Sequence, residues 1–149
     1  MKTEIKNEWN YDQSPKEVWQ YLTRPELIAQ WLMPNDFKPE AGQEFRFTAK
    51  PIPSLDLDGI FHCKVVEIQP FSKLTYTWKG GPGNGVFTLD TLVEWTLEKK
   101  GNGTKLSIRQ SGFKETNVSI FDAMTSGWNS NALKMGKLLN EANHGSAKV

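Results

Sequence analysis

Hydrophobic positions along the chain keep two rhythms. Between Gly42 and Arg109 apolar side chains recur mostly at every second position, and the stretches at residues 14–33 and 119–142 space them by three or four. Residues 3–11 alternate weakly about Ile5, Trp9 and Tyr11 and read as a first strand. A helix start follows. Ser14 can cap, Pro15 suits the first helical position, and Glu17 completes a capping box. This helix carries Val18, Trp19, Tyr21 and Leu22. A second short helix begins near Pro25 and buries Leu27, Ile28, Trp31 and Leu32. Pro34 stops it, because proline clashes with a continuing helix.

From Gly42 the period is two. Phe45 and Phe47 share one face, with Glu44, Arg46 and Thr48 on the other. Residues 49–58 contain Pro51 and Pro53 and read as a loop or edge segment. The next strand, about 60–68, alternates poorly. Phe61, Cys63 and Val65 fall on one face, yet Val66 and Ile68 fall on the other, and a β-bulge near Val65-Val66 would reconcile them. Leu74, Tyr76 and Trp78 mark a clean strand, followed by a flexible glycine-rich loop at 80–85. Residues 88–99 set Val93, Trp95 and Leu97 against Glu94, Thr96 and Glu98. Gly101-Asn102-Gly103 makes a tight hairpin turn into a last strand holding Leu106 and Ile108.

The chain closes on a long helix, about 119–142, with Phe121, Met124, Trp128, Ala132, Met135, Leu139 and Ala142 on its apolar stripe. Residues 143–149 are expected to fray. Hairpin links imply an antiparallel sheet, and each clear strand has one apolar face. The dry side needs a cover, and the C-terminal helix is the element long enough to supply it. The expectation is an α+β fold, residues 1–149 as one domain, without repeats or an internal boundary.

Composition changes this picture little, with one exception. The net charge of +1 and three scattered arginines argue against a nucleic-acid surface. No apolar run approaches membrane-spanning length, and the N-terminus lacks a signal-peptide core. The lone Cys63 cannot form an internal disulfide, which points to a reducing compartment, the cytoplasm. The exception is six tryptophans, Trp9, Trp19, Trp31, Trp78, Trp95 and Trp128. They either fill an aromatic core or line a cavity.

Candidate chemistry is thin. His62 shares a strand face with Lys64, the solvent side. No His, Cys, Asp or Glu spacing makes a metal site, and Asp56 and Asp58 read as turn residues. Cys63 has apolar neighbours, which make a thiol inert. The glycine loop lacks a Gly-Lys-Ser/Thr ending. Glu67 and Glu94 would be pocket acids only if a bulge turned them inward. No catalytic residue and no cofactor is therefore assigned.

Several motifs in order resemble a known family. They are Pro25-Glu26-Leu27 with Trp31, then Pro39, Gly42 and Phe45-Arg46-Phe47. Gly59, Val66-Glu67, Pro70, Leu74, Tyr76 and Trp78 follow, then Glu94, Gly103-Thr104-Lys105-Leu106 and Gly127-Trp128. Together they resemble the activator-of-heat-shock-protein-90-ATPase-like (AHSA-like) family of the START-like (SRPBCC) superfamily. The resemblance implies a helix-grip fold, in which a curved antiparallel sheet wraps a long C-terminal helix around a cavity. It also implies binding of hydrophobic molecules, with cyclases and hydrolases among the superfamily's members. Trp31-Leu32 departs from the pair of aromatics common there. The chain also lacks the separate N-terminal domain of the eukaryotic chaperone activators, which weakens a chaperone role.

The expected function is binding of a small hydrophobic molecule between sheet and helix. The expected lining is Trp31, Phe45, Phe47, Phe61, Trp78, Trp95, Phe113, Met124 and Trp128. Gly127 either lets the helix approach the sheet or keeps a pocket mouth open. The alternatives are a chaperone-linked interaction module and an enzyme of the cyclase or hydrolase kind. Oligomeric state is left open by the sequence.

Overall fold

The computed structural model describes residues 3–147, with side chains as far as Ala142. Its elements are β1 (Glu4–Tyr11), α1 (Pro15–Thr23), α2 (Pro25–Trp31), β2 (Glu44–Thr48), β3 (Ile60–Gln69), β4 (Lys73–Gly80), β5 (Leu89–Lys100), β6 (Gly103–Ser111) and α3 (Val118–Ala147). The six strands form one antiparallel sheet in the order β1-β6-β5-β4-β3-β2. Four hairpins connect β2 through β6 in sequence, and β1 crosses to pair with β6. This is the helix-grip architecture, with α3 against the apolar face of the sheet and α1 and α2 beside it.

Local chemistry explains the boundaries. Ser14 Oγ accepts from the Glu17 amide at 3.3 Å, and Glu17 Oε1 accepts from the Ser14 amide at 3.4 Å, closing the capping box. Arg24 ends α1 and opens α2, so the two helices share one hinge residue ahead of Pro25. The turn from β5 to β6 has Lys100 paired with Gly103, and Gly101 sits at φ +60°, a conformation glycine adopts without steric cost.

The irregularity in β3 is a bulge. Val65 pairs with Tyr76 and Glu67 with Thr75, so Val66 is the extra residue. Val65 is buried and Val66 is 53% exposed. The bulge returns Ile68 to the core side, where it packs against the main cluster.

Buried positions alternate as the periodicity predicts on β1, β2 and β5. The wet face of the sheet is a ladder of ion pairs. Arg109 contacts Glu4 at 2.8 Å and Glu94 at 3.6 Å, and Lys105 contacts Glu98 at 3.3 Å and Glu8 at 3.6 Å. Three details differ from expectation. Ala142 is exposed, α3 continues past residue 142 to Ala147, and Thr75 is buried although it lies on the polar parity of β4. Of the tail expected to fray, residues 148 and 149 lie outside the described residues. Among the described residues no helix is long and apolar enough to cross a membrane.

Candidate functional site

Alternation puts the sheet's aromatics on one face, and register brings them side by side. Phe45 and Phe47 on β2 face Cys63 and Phe61 on β3, and Tyr76 and Trp78 follow on β4. Phe47 stacks on Trp78 with ring centroids 4.9 Å apart, and the tilted Phe61 ring lies 5.0 Å from Trp78. From α3, Trp128 drops its ring onto this floor, 5.5 Å from Trp78 and 5.4 Å from Trp95, edge to face with both. The middle of the sheet–helix interface is therefore filled by its own side chains.

Space opens toward one end of the sheet. An apolar cleft of about 240 Å³ lies between the first half of α3, the 49–57 loop and the Leu32-Met33 step after α2. Trp78 and Phe61 form its floor, while Met124, Gly127 and Trp128 belong to its helix side. A Cβ added to Gly127 would meet no atom within 4 Å. The same test at Gly136, further along α3, places the Cβ 3.0 Å from the Tyr11 ring. Gly136 thus permits close packing, whereas Gly127 leaves room.

Of the nine residues expected to line a site, the cleft collects Phe61, Trp78, Met124 and Trp128. The other five are packed in the core. Trp31 meets Trp95 edge to face at 6.0 Å and donates its indole N–H to the Tyr21 carbonyl at 2.7 Å. Phe45 packs among Phe37, Phe47 and Tyr76. Phe47 sits between Phe45 and Trp78. Phe113 packs on Phe121 at 5.0 Å.

Sequence reasoning missed the loop side of the cleft, made by Ile52, Leu55 and Leu57. The available signal was three apolar residues inside a proline-rich loop that should otherwise be polar. It also missed Gln110. Its parity with Leu106 and Ile108 puts it on the inner face, and it is fully buried there. Gln110 accepts from Trp128 Nε1 at 2.8 Å and donates to Thr91 Oγ1 at 2.9 Å, so both ends of its amide are used.

The titratable candidates lie elsewhere. Glu94 points to the wet face beside Arg109, and Glu67 pairs with Lys73 there at 3.3 Å. His62 is exposed, edge-on to Phe87 at 5.3 Å. Asp58 accepts from the Ile60 amide at 3.0 Å, and Asp56 occupies the left-handed region at φ 58°, both turn roles. Burial pushes the Cys63 thiol well above its ordinary range, with a smaller contribution from the Asp36 charge. Burial likewise pushes the Tyr76 phenol up, where its oxygen accepts from Trp95 Nε1 at 2.9 Å. Among the described residues no group of three His, Cys, Asp or Glu is placed to hold a metal ion. The cleft lining itself contains no Asp, Glu, His, Lys, Arg or Tyr. Such a surface can desolvate an apolar molecule, and it presents no general acid, base or nucleophile.

The comparisons with known proteins agree with this architecture. Residues 12–140 match the model of a family described as activator of Hsp90 ATPase homolog 1-like protein. A crystal structure of a protein from Mesorhizobium loti is 32% identical, covering 93% of this chain and 97% of that one with a TM-score of 0.82. A solution structure from Bacillus halodurans is 24% identical over 93% of this chain and 99% of that one, with a TM-score of 0.71. The solution structure of the Aha1 dimer from Colwellia psychrerythraea is 19% identical over 93% and 96%, with a TM-score of 0.75. The last two are likenesses of fold alone. No match was found among curated proteins.

Proposed function

This chain belongs to the activator of Hsp90 ATPase homolog 1-like protein family, and from that premise we propose that it binds a small hydrophobic molecule in the cleft beside Gly127. The observation that carries this reading is the empty space in front of that glycine. A glycine inside a helix costs about 1 kcal/mol relative to alanine. Gly127 has no close neighbour that would require it, so the room it leaves is the feature that offsets the cost. The lining supports an apolar guest: Phe61, Trp78 and Trp128 offer ring faces, and Met33 and Met124 adapt to irregular shapes. The absence of an ionisable side chain from the lining favours binding over a cyclase or hydrolase reaction, which needs a proton donor or acceptor at the substrate.

Titration with naphthalene, following tryptophan fluorescence and melting temperature, tests the reading. Two of the six tryptophans line the cleft, so occupancy should quench or shift their emission. A guest that binds only the native state also raises the melting temperature with concentration. The absence of both changes, with naphthalene and with other small neutral aromatics, would overturn it.

The family description and the likeness to the Colwellia Aha1 dimer support a second reading, a chaperone-linked interaction module. Co-precipitation and an ATPase assay with an Hsp90 homologue decide it, and the absence of both binding and stimulation removes it. A single buried cysteine supports a reducing, cytoplasmic setting for either role.

A further inference from the structure

The wet face of the sheet is divided. On β1, β6 and β5 its cations are matched by carboxylates, as Arg109 is by Glu4 and Glu94, and Lys105 by Glu98 and Glu8. On β2, β3 and the far half of β4 they are not. Arg46 stands directly opposite His62, and His62 directly opposite Lys79, so two cations and an imidazole form one row across three strands. Lys64 lies one row away, where its amide donates to Thr77 Oγ1 at 2.9 Å. Among the described residues none of Arg46, Lys64 and Lys79 takes part in an ion pair. Three carboxylates stand nearby. Asp36 Oδ1 accepts from the Arg46 amide at 2.6 Å. Glu44 is opposite Lys64 in the register and Asp90 is opposite Lys79, and neither closes on its lysine. Like charges directly opposite one another destabilise a strand pair, so this row does not serve the fold.

The row lies in an open trough of about 790 Å³, inside the ~300–1,000 Å³ range of small-molecule sites. Its lining carries Lys38, Arg46, Lys64 and Lys79 against the carboxylates of Asp36 and Glu44, a net positive surface. Phe87 borders it, 44% exposed, with Lys79 Nζ 5.7 Å from its ring centre. The glycine-rich loop sets that ring in place. A Cβ on Gly81 would fall 2.2 Å from the Val86 carbonyl oxygen, so the loop can fold back this tightly only with glycine there. We propose that the trough is a second binding site, separate from the apolar cleft, and that it takes an aromatic phosphate monoester. Strands lie about 4.8 Å apart, so the two ends of the row are only roughly 10 Å apart and their long side chains converge on one group. A phosphate meets them with three acceptor oxygens, where a carboxylate has two. Arg46 supplies a planar fork, Lys79 and Lys64 supply ammonium donors, and the Thr77 hydroxyl keeps its proton to donate, since its oxygen accepts from Lys64. Phe87 offers an apolar surface to the aromatic part. The proposal stands independently of what occupies the cleft.

The test titrates phenyl phosphate and inorganic phosphate at constant ionic strength and follows the imidazole resonances of His62. The chain has two histidines, and His62→Gln assigns the signal. The expected result is a saturable shift with both probes, phenyl phosphate binding roughly three- to ten-fold tighter. Arg46→Gln combined with Lys79→Gln should weaken both by at least about ten-fold, the loss expected when charge-assisted hydrogen bonds are removed. Phe87→Ala should abolish the preference for phenyl phosphate. A His62 signal that does not move, or drifts without saturating, overturns the site. Equal affinity for the two probes overturns the ligand class. Undiminished binding in the double variant of matched melting temperature overturns the placement of the phosphate. The first two outcomes are read on wild-type protein, so they decide the matter even if a variant does not fold.

Discussion

The indole N–H of Trp128 donates to Gln110 Oε1 across 2.8 Å, tying the long helix to β6 inside the core. The other end of the Gln110 amide donates to Thr91 Oγ1, whose hydroxyl in turn donates to the Trp78 carbonyl at 2.9 Å. One buried side chain thus holds the helix ring above the sheet ring that forms the cleft floor. Gln110→Leu keeps the volume but leaves the Trp128 N–H without an acceptor and Thr91 without its donor. A loss of about 2–3 kcal/mol is expected, read as a lower urea midpoint with an unchanged slope. A variant as stable as the wild type would show that the network contributes little.

Gly127 and Gly136 should respond oppositely to the same substitution. At Gly127 a methyl group enters open space, and Gly127→Ala should gain up to about 1 kcal/mol from helix propensity. Gly136→Ala drives a Cβ to 3.0 Å from the Tyr11 ring, whose hydroxyl donates to the Ala132 carbonyl at 2.7 Å, and should lose stability. Gly127→Leu reaches into the cleft. It should fold at least as well as the wild type while weakening naphthalene binding by at least about ten-fold, or roughly 1.4 kcal/mol. Undiminished binding would place the guest elsewhere.

Buried acids should stay protonated in alkali. The Tyr11 and Tyr76 phenols are both pushed above their ordinary value of 10.0, chiefly by burial. A raised folded value means that the neutral phenol is favoured in the native state. This contribution is complete below about pH 10 and is lost as pH rises through the folded value. Absorbance of ionised tyrosine should therefore lag for these two until the fold opens. Cys63 follows the same sign from 9.0. A thiol reagent at pH 8 should label it only at the rate of unfolding, and fast stoichiometric labelling of native protein would contradict its burial.

The wet-face ladder should stabilise the fold only above the acid range and in low salt. The hydrogen bond from Arg109, then that from Lys6, holds the Glu4 carboxyl below its ordinary range, and Lys105 does the same for Glu98. A lowered folded value gives stability that is present above about pH 4.5 and lost as pH falls through the folded value. Both groups are exposed, so the effect should be small and screened by salt. Glu4→Gln and Glu98→Gln should flatten the acid limb of a urea-midpoint profile in dilute buffer and leave it unchanged in 1 M salt. An equal effect in both would mean that the groups act through packing.

What the sequence determined by itself is what depends on near neighbours. Strand faces followed from alternation, the start of α1 from Ser14 and Glu17, and the β5–β6 turn from Gly101 and Asn102. The bulge was legible because Val65 and Val66 could not both face the core in a regular strand. Parity also placed Phe47, Phe61, Trp78, Trp95 and Trp128 inward, and all are buried. Only the tertiary structure decided which of them meet one another and which meet open space. Trp95 closes on Trp128, while Trp78 and Phe61 continue into the cleft. That division depends on where a helix on residues 118–147 crosses the sheet and how the 49–57 loop folds over its edge. Periodicity states which way a side chain points. It carries no information on the distance to the surface opposite, and that distance separates a packed core from a cleft.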